Sequence, residues 1–586
     1  MIKSLTFQHR NMDRAALATI VILVFSSSIS GCFGLFGGDS PTNPDASECT
    51  EFEYSGGIAS WTFMLYISDS DLEYFSIDDI VETETVGSNE NVNILVQIDR
   101  WDGSDAPDQD DDSNGDWETA KRFYITKDCE GDINDHEIHS QPLDDLGEIN
   151  TGDPDELISF VEWGMENYPA ENYALDIWDH GAGVSGVAYE QSCPEFCYEY
   201  GNEPDKLTLP EIDYALDTIT NGGENKLSIV GFDACLMATI EVVGVVYKYA
   251  DIMIASEILE PGDGWDYRFL NLLADDPDVT AVELGQEIVD SFVKQGDPGL
   301  NGISQSYQLT MLDMSKAQFA LDSFRELIYL ASTTSISSDL DTIRSDAVHV
   351  EPGDSSSAVD LIALLNALAE TTESDEVREA ANEAVMAVEG MIISAKFVDG
   401  EACLLGVCLS SDIETEGMTG LSVLFPNSET EWVSKSRDVE DELEDSGWDD
   451  LLEDYYEYLE SEQILFFLND SLIYDTADFD EDGSNDSISL AFEIESLYDN
   501  VIGNLTLDIF NTRGYWIDGV EYEFEINSTE IVYLDLWDVT YTHTEEDGPA
   551  ELLRIEAVLS IVLEDGTHVI QDWAETPPEY LTHYEW

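Results

Sequence analysis

Basic residues are scarce in this chain. Its 586 residues include 21 Lys and Arg against 127 Asp and Glu, which gives a formal net charge of −106. Such a surface repels phosphate groups, so the composition excludes nucleic acid as a partner and excludes electrostatic adhesion to anionic lipid. Because 43% of the residues are hydrophobic and 10% are aromatic, the composition also argues against disorder. We interpret the charge as the solvated acidic shell of a salt-adapted protein.

Long apolar runs are equally rare. The run Ala15–Ser30 follows a basic start with Lys3 and Arg10, and its roughly 16 residues fall short of the roughly 20 that cross a bilayer. We therefore interpret residues 1–31 as a secretory signal peptide, with a membrane anchor helix as the alternative. The ending Ile-Ser-Gly-Cys at 29–32 resembles a lipoprotein lipobox, which implies cleavage before Cys32 and a lipid on its thiol. Residues 32–58 are then a tether, and the mature protein is expected outside the cell, anchored to the membrane by its lipid.

The order of apolar segments predicts two structural regions. Between residues 59 and 462, buried-type strands such as Trp61–Ile67 and Val92–Ile98 alternate with helices such as Pro154–Asn167. This alternation is typical of an α/β fold with a parallel sheet. We also predict a helix over Leu236–Tyr249, and mainly helices from about residue 280 to 390. Residues 463–586 show short alternating segments without a helical period, which predicts a separate all-β sandwich module.

Two segments place reactive side chains directly after predicted strands. His180 follows one strand in a turn of small residues, and Cys235 follows another just before the predicted helix. Ligands of open α/β sheets bind outside the carboxyl ends of the strands. A helix N-terminus favours a thiolate, an imidazole can act as its general base, and the N–H of Gly181 can stabilise an oxyanion. Taken singly, a buried cysteine and a structural histidine explain the same residues, so the spacing leaves both interpretations open.

The residue identities in these two segments are more specific than the spacing between them. Trp-Asp-His-Gly-Ala-Gly at 178–183 and Gly-Phe-Asp-Ala-Cys-Leu-Met at 231–237 resemble motifs of the clostripain-like cysteine peptidases, peptidase family C11 in the caspase- and gingipain-like clan CD. The resemblance extends to residues 260–265 and 420–426 and covers about residues 61 to 462. It implies a caspase-like α/β/α sandwich with endopeptidase activity. It also implies Cys235 as nucleophile, His180 as its catalytic partner in a dyad, and no cofactor for the chemistry.

The resemblance also implies a substrate class. The family favours proteins and peptides with Arg or Lys before the cleaved bond, because a buried carboxylate pairs with the basic side chain. Asp233 matches a position tied to that pocket, and Asp263 is a second candidate. Acidic residues occur throughout this chain, so charge alone identifies neither of them. Family members are often cut between the His and Cys segments, and Lys206, in a polar stretch, is the candidate self-cleavage site.

Cysteines are few, and their number is consistent with an oxidising compartment. When the lipidated and the nucleophilic cysteines are set aside, six of the eight remain. Cys193–Cys197 and Cys403–Cys408 are close enough to close small loops, which leaves Cys49–Cys129 as a third pair. The alternative for the first pair is a metal site.

An acidic loop at residues 478–486 has the Asp-x-Asp-x-Asp-Gly spacing of a calcium loop. Its candidate ligands are Asp478, Asp480, Asp482 and Asp486. Position 12 of an EF-hand would be Ser489 rather than Glu, and predicted strands flank the loop, so it is not an EF-hand. The sequence leaves a structural Ca²⁺ open as the one bound cofactor.

These features together predict a secreted, lipid-anchored cysteine endopeptidase that hydrolyses peptide bonds after Arg or Lys. The alternative is a caspase-like surface protein that has lost its activity and serves in binding or adhesion. The presence of both His180 and Cys235 argues for the enzyme.

Overall fold

The structure is a computed structural model. It describes residues 52 and 54–428, except for the segments 69, 102–110, 112, 116, 130–135, 193–204, 297–304, 335, 346, 352–356, 405–406 and 411–414. It further describes residues 431–432, 435 and 447–462, and the backbone of eight strands between residues 465 and 575.

A large mixed sheet forms the centre of the first region. The strands up to residue 428 are β1 (Ala59–Ile67), β2 (Val92–Ile98), β3 (Ala120–Tyr124), β4 (Pro142–Gly147), β5 (Ala170–Trp178), β6 (Val187–Glu190), β7 (Asp205–Leu207), β8 (Leu227–Asp233), β9 (Ala250–Ala255), β10 (Tyr307–Asp313), β11 (Ala358–Asp360), β12 (Ile392–Val398), β13 (Glu401–Leu404), β14 (Val407–Ser410) and β15 (Ser422–Leu424). Nine of them form one sheet in the order β12-β10-β9-β8-β5-β1-β2-β3-β4. The five strands from β9 to β2 in this order run parallel, and antiparallel strands complete both edges.

Helices cover both faces of this sheet. They are α1 (Glu73–Val86), α2 (Pro154–Asn167), α3 (Leu209–Thr220), α4 (Ile240–Val246), α5 (Asn271–Asp275), α6 (Ala281–Gln295), α7 (Met314–Ser332), α8 (Ser337–Ser345), α9 (Leu361–Thr371), α10 (Asp375–Met391) and α11 (Trp448–Glu462). Short 3₁₀ helices lie at Ser113–Gly115, Gly183–Ser185 and Tyr267–Leu270. Among the helices that the structure describes, none combines the length and the apolar character that a bilayer crossing requires.

The alternation of side chains along the strands divides the core into two layers. In β1, Met64 and Tyr66 belong to the hydrophobic cluster of one face, which also contains residues of helices α2, α3 and α10. Phe63 and Leu65 pack with α1 and α6 on the other face. Successive strand residues point to opposite faces, so a strand buried on both faces is apolar throughout. This arrangement confirms the predicted α/β/α sandwich.

Two predicted elements occur with the bounds expected from the sequence. β2 is the apolar run Val92–Ile98, buried along its whole length. The helix Pro154–Asn167 begins after Asp153, whose carboxylate accepts a hydrogen bond from the N–H of Asp155 at 2.9 Å. This N-cap followed by proline is a local signal, and a helix start that rests on local signals can be read directly from the sequence.

The predicted helix Leu236–Tyr249 was wrong at its start. Leu236 has a positive φ of 63°, and its N–H donates to the carbonyl of Ile258, while Ala238 donates to Ser256. These bonds hold the segment against residues 256–258 in a non-helical path, and α4 begins only at Ile240. The helical interpretation of residues 280–390 also missed β10, which pairs with β9 and β12.

The described residues between 465 and 575 form β-strands, as predicted for this region. Its strands are β16 (Leu465–Phe467), β17 (Ile473–Ala477), β18 (Ser487–Ser496), β19 (Val501–Asn511), β20 (Trp516–Ile526), β21 (Val532–Thr540), β22 (Leu553–Val562) and β23 (His568–Glu575). One antiparallel sheet joins β16, β17 and β21 to β18, and a second has the order β20-β19-β22-β23. The predicted domain boundary at residue 462 falls between α11 and β16. The candidate calcium loop connects β17 to β18 and lies outside the described residues.

Candidate active site

The two reactive side chains lie at the ends of neighbouring parallel strands. β5 pairs with β8 in a register that sets Trp178 opposite Asp233, and the N–H of Asp179 donates to the carbonyl of Asp233 at 3.3 Å. His180 and Cys235 each follow this last pair by two residues. The sheet therefore brings the two segments that the sequence singled out to one place at its carboxyl edge.

Gly181 sets how closely the two strand ends approach. A Cβ at this position would lie 3.0 Å from the backbone nitrogen of Cys235 and 3.0 Å from the Cβ of Ala234, and closer still to the carbonyl oxygen of Cys235. Real Cβ atoms essentially never come nearer than this, so the turn after His180 packs on the Cys235 backbone because residue 181 lacks a side chain.

The backbone around Gly181 forms a small antiparallel bridge with Val187. Ala182 donates to the carbonyl of Gly186 at 3.0 Å, and Ala188 donates to the carbonyl of His180 at 3.3 Å. Gly181 is the residue between these two bonds, so its own N–H takes part in neither of them. In such a pair the remaining N–H groups point away from the partner strand.

Cys235 is a half-buried free thiol. Its Sγ accepts a hydrogen bond from the N–H of Glu260 at 3.2 Å and lies 3.9 Å from the carbonyl oxygen of Glu260. Burial raises the pKa of Cys235 to about 11, and the nearby charges of Asp233 and Asp179 raise it further, against the lowering effect of the Glu260 N–H. The thiol is therefore protonated at neutral pH unless a base removes its proton.

The expected effect of a helix N-terminus on this thiol is not found. α4 begins at Ile240, five residues beyond Cys235, and its N-cap is Thr239, whose hydroxyl accepts from the N–H of Val242. The partial positive charge of a helix falls off within its first turn, so it does not favour a Cys235 thiolate here.

His180 is held from the side opposite to β8. Its Nε2 lies 2.8 Å from the Oδ1 of Asp71, which follows β1, the other neighbour of β5. Gln191 also contacts Asp71, since its Nε2 donates to Oδ1 at 3.2 Å and its Oε1 accepts from the Asp71 N–H at 3.2 Å. Sequence reasoning missed Asp71. Its position four residues after the end of a buried strand was the available signal, and the abundance of acidic residues masked it.

Asp233, two residues before Cys235, is buried. Its Oδ2 accepts from the N–H of Trp265 at 2.8 Å and lies 2.9 Å from the hydroxyl of Tyr267, which is also 2.9 Å from the Oδ2 of Asp176. Burial raises the pKa of Asp233 to about 6 and raises that of Asp176 well above its ordinary value, where the charge of Asp233 adds to the effect.

Two further carboxyl groups lie beside this pair. A Cβ at Gly264 would be 3.0 Å from the Oδ2 atoms of both Asp233 and Asp79, and Asp79 accepts from the indole N–H of Trp178 at 2.8 Å. Burial raises the pKa of Glu260 well above its ordinary value, and the charge of Asp233 raises it further. The Glu260 carboxyl is hydrogen-bonded to that of Asp233, and Oδ1 of Asp176 is buried without a hydrogen-bond partner. We call Asp79, Asp176, Asp233 and Glu260 the buried acid cluster.

Asp263, the second predicted specificity residue, is exposed and does not belong to this cluster. The glycines on either side of it pack inward, since a Cβ at Gly262 would lie 3.0 Å from the ring of Phe75 and Gly264 adjoins the buried acid cluster. The structure thus separates the two predicted specificity residues by depth.

Comparison with known proteins identifies the family of this chain. A family model described as the clostripain family matches residues 65–455, more than half of the chain. The chain belongs to the clostripain family. Clostripain from Hathewaya histolytica is 28% identical over 223 residues, which is 35% of this chain and 40% of clostripain. The match therefore spans less than half of that relative.

Two solved structures are also similar to this clostripain-family chain. One is a secreted C11 cysteine protease from Bacteroides thetaiotaomicron in complex with an irreversible peptide inhibitor, with 18% identity, coverage of 67% of this chain and 99% of that chain, and a TM-score of 0.48. The other is an inactive zymogen C11 protease from Parabacteroides distasonis, with 17% identity, coverage of 66% and 99%, and a TM-score of 0.46.

The remaining predicted residues lie away from the ends of β5 and β8 or outside the described residues. Lys206 lies in β7, which pairs with β6, and its Nζ is 5.4 Å from the centre of the Tyr189 ring. Cys129 is disulfide-bonded. In the β13–β14 hairpin, Cys403 lies opposite Cys408.

Several residues that the sequence predicted to be functional lie outside the part of the chain that the structure describes. Cys32, Cys49, Cys193, Cys197 and the four aspartates of the candidate calcium loop lie outside the described residues. Within the described part of the chain, no group of three or more His, Cys, Asp or Glu side chains is arranged to hold a metal ion.

Proposed function

We propose that this protein is a cysteine endopeptidase in which Cys235 is the nucleophile and His180 the general base. The observation that carries the proposal is the position of these residues at the ends of adjacent parallel strands, with Gly181 packed on the Cys235 backbone. Family membership supports it, because the matched family consists of cysteine peptidases.

The chemistry follows from the state of the thiol. Because burial raises the pKa of Cys235 to about 11, His180 takes the thiol proton as Sγ attacks the carbonyl carbon of the substrate. The Gly181 N–H, which its bridge leaves unused, donates to the oxygen that becomes negative. The imidazolium then gives its proton to the leaving amine, and water, activated by His180, hydrolyses the thioester and regenerates the thiol.

The buried acid cluster supports a preference for Arg or Lys before the cleaved bond. Oδ1 of Asp176 is buried without a hydrogen-bond partner. Burial raises the pKa of both Glu260 and Asp176 well above its ordinary value, which favours the protonated form where no cation is near. A guanidinium carries five N–H donors and a positive charge, so it would supply both the missing hydrogen bonds and the countercharge. We assign Asp233 and Glu260 to the base of the pocket and the exposed Asp263 to its rim.

We further propose that the protein is exported and held at the cell surface by a lipid on Cys32. The disulfide at Cys129 supports export, since disulfides form and persist in oxidising compartments. The apolar run before Cys32 supports a signal peptide.

The test measures hydrolysis of aminomethylcoumarin peptides that end in Arg, Lys or Leu by the full chain, over titrations of salt and Ca²⁺. We expect cleavage after Arg and Lys, loss of activity in Cys235→Ala and His180→Ala, and a loss of roughly 10-fold or more for basic peptides in Asp233→Asn. Asp213→Asn is the matched control, because Asp213 is bonded to Lys248 and Tyr249 away from the site. Absence of thiol-dependent turnover would favour an inactive binding protein instead.

A further inference from the structure

We propose that Asp71 is a positioning residue for His180, so that the site works as an Asp–His–Cys triad in which Asp71 orients the imidazole. The inference rests on the proposed peptidase function and adds a third residue to it. The carrying observation is the 2.8 Å contact between the Oδ1 of Asp71 and the Nε2 of His180.

The sheet topology places the three residues in a row. β5, which carries His180 just beyond its end, lies between β1 and β8. Asp71 follows β1, where Ile67 is the register partner of Trp178, and Cys235 follows β8, where Asp233 is the partner of the same Trp178. His180 therefore lies between a segment that carries a carboxylate, which its imidazole contacts, and a segment that carries the thiol, which is the order of residues in a catalytic triad.

The carboxylate is fixed before substrate arrives. The side chain of Asp71 is 2% exposed, against 24% for His180. Gln191 holds Asp71 at both ends, through its amide N–H to Oδ1 and its amide oxygen to the Asp71 N–H, each at 3.2 Å. A buried acceptor in a fixed position restricts the orientation of the ring, so geometry rather than a transient contact sets which nitrogen faces the thiol.

The assignment fixes the route of the proton. With Nε2–H donating to Asp71, the Nδ1 of His180 is the atom that takes the proton from Sγ of Cys235 and later gives it to the leaving amine. Asp71 stays ionised throughout and stabilises the imidazolium that exists between these two transfers. Asp179 is the other carboxylate near the ring. Its Oδ2 accepts from the backbone N–H of Tyr189 at 2.6 Å, which gives it a role in holding the chain.

A purely structural role for Asp71 makes a different prediction. If Asp71 served to fasten the loop after β1 to Gln191, its replacement would lower stability and leave the turnover of folded enzyme unchanged. If Asp71 acts through His180, its replacement lowers kcat and slows alkylation of Cys235 while KM stays the same, because substrate binding does not involve the carboxylate.

The experiment compares Asp71→Asn and Asp71→Ser with wild type, using the full chain. Three quantities are measured: kcat and KM on an Arg-aminomethylcoumarin peptide, the rate of Cys235 alkylation by iodoacetamide at pH 7, and the thermal midpoint. We expect kcat to fall by about 10- to 100-fold with KM within about twofold, and alkylation to slow as well. Asp71→Ser is measured in parallel so that a folding defect of one variant does not decide the outcome.

Two control variants separate this inference from the proposed function. Asp78→Asn breaks another Asp–His contact, to His136 at 2.6 Å, and should change kcat by no more than about twofold, as for most surface substitutions. His180→Ala should lose both activity and rapid alkylation. If His180→Ala is impaired and the Asp71 variants match wild type, the role of Asp71 is refuted while the peptidase proposal stands. If His180→Ala also matches wild type, the proposed function fails and the role of Asp71 fails with it.

Discussion

Replacement of Gly181 by alanine tests the packing that joins the two halves of the site. The added Cβ would come within 3.0 Å of the backbone nitrogen of Cys235 and closer to its carbonyl oxygen. Non-bonded heavy atoms ordinarily stay about 3.5 Å apart, so the segments that follow the two strands must separate by about 1 Å. Gly181 does not have a positive φ, so alanine can adopt its backbone conformation and the effect is purely steric.

The structure gives a magnitude for two separate readouts. Overpacking of a dense region costs about 1–3 kcal/mol of stability, and a displacement of about 1 Å between reacting groups costs roughly 100-fold in rate. We therefore expect Gly181→Ala to fold with a reduced free energy of unfolding and to lose about 100-fold in kcat/KM. Urea unfolding and hydrolysis of an Arg-aminomethylcoumarin peptide measure the two effects.

Gly244→Ala is the matched control for this substitution. Gly244 lies inside α4, and no atom lies within 4 Å of a Cβ built there. Alanine in a helix interior is favoured over glycine by roughly 0.5–1 kcal/mol, so this variant should be slightly more stable and fully active. If Gly181→Ala behaves like Gly244→Ala in both assays, the close approach of His180 and Cys235 segments is not what assembles the site.

Three further predictions concern pH, maturation and calcium. Burial raises the pKa of Asp233 to about 6 and that of Glu190 to about 7, whereas a carboxyl group of the unfolded chain has a pKa of about 4. The stabilising protons are fully bound below about pH 4 and are lost as pH rises through about 6–7. The urea concentration at the unfolding midpoint should therefore decrease as the pH is raised from 5 to 7.5, and an increase would contradict this. Lys206→Gln should block self-cleavage, and intact mass should show one uncut chain in this variant and in Cys235→Ala but two fragments in wild type; an uncut wild type would refute it. Saturating Ca²⁺ should raise the thermal midpoint by an amount equivalent to roughly 2–3 kcal/mol, and Asp480→Asn should abolish that gain; identical midpoints with and without a chelator would exclude the site.

The elements that were predicted correctly rest on short-range signals. β2 is an unbroken apolar run because both of its faces are buried, and α2 begins with Asp153 and a proline at its first position. The positions of His180 and Cys235 were equally predictable, since each follows an apolar strand and the carboxyl ends of parallel strands share one edge.

The elements that were missed depend on contacts between distant parts of the chain. Leu236 leaves the helical path because its N–H donates to Ile258, more than twenty residues away. β10 becomes a strand through its pairing with β9 and β12. Asp71 belongs to the site because of the neighbours of β5 in the sheet, and a chain with 127 acidic residues gives no local sign that one of them differs from the others.

The scarcity of basic residues bears directly on the buried acid cluster. Arg100 is paired with buried Glu73, but the carboxyls of this cluster are met by Tyr267, by backbone N–H groups and by protons. Burying carboxyl groups without cations is costly, and protonation limits that cost. A buried cluster whose pKa values are raised because no cation is near gains more from a bound cation than one already neutralised by its own Arg or Lys. Among the described residues, no Arg or Lys pairs with this cluster, and a positive side chain is what the proposed substrate carries. If the proposed specificity holds, the scarcity of basic residues that hides Asp233 in the sequence also leaves its carboxyl free of an internal competitor for the substrate.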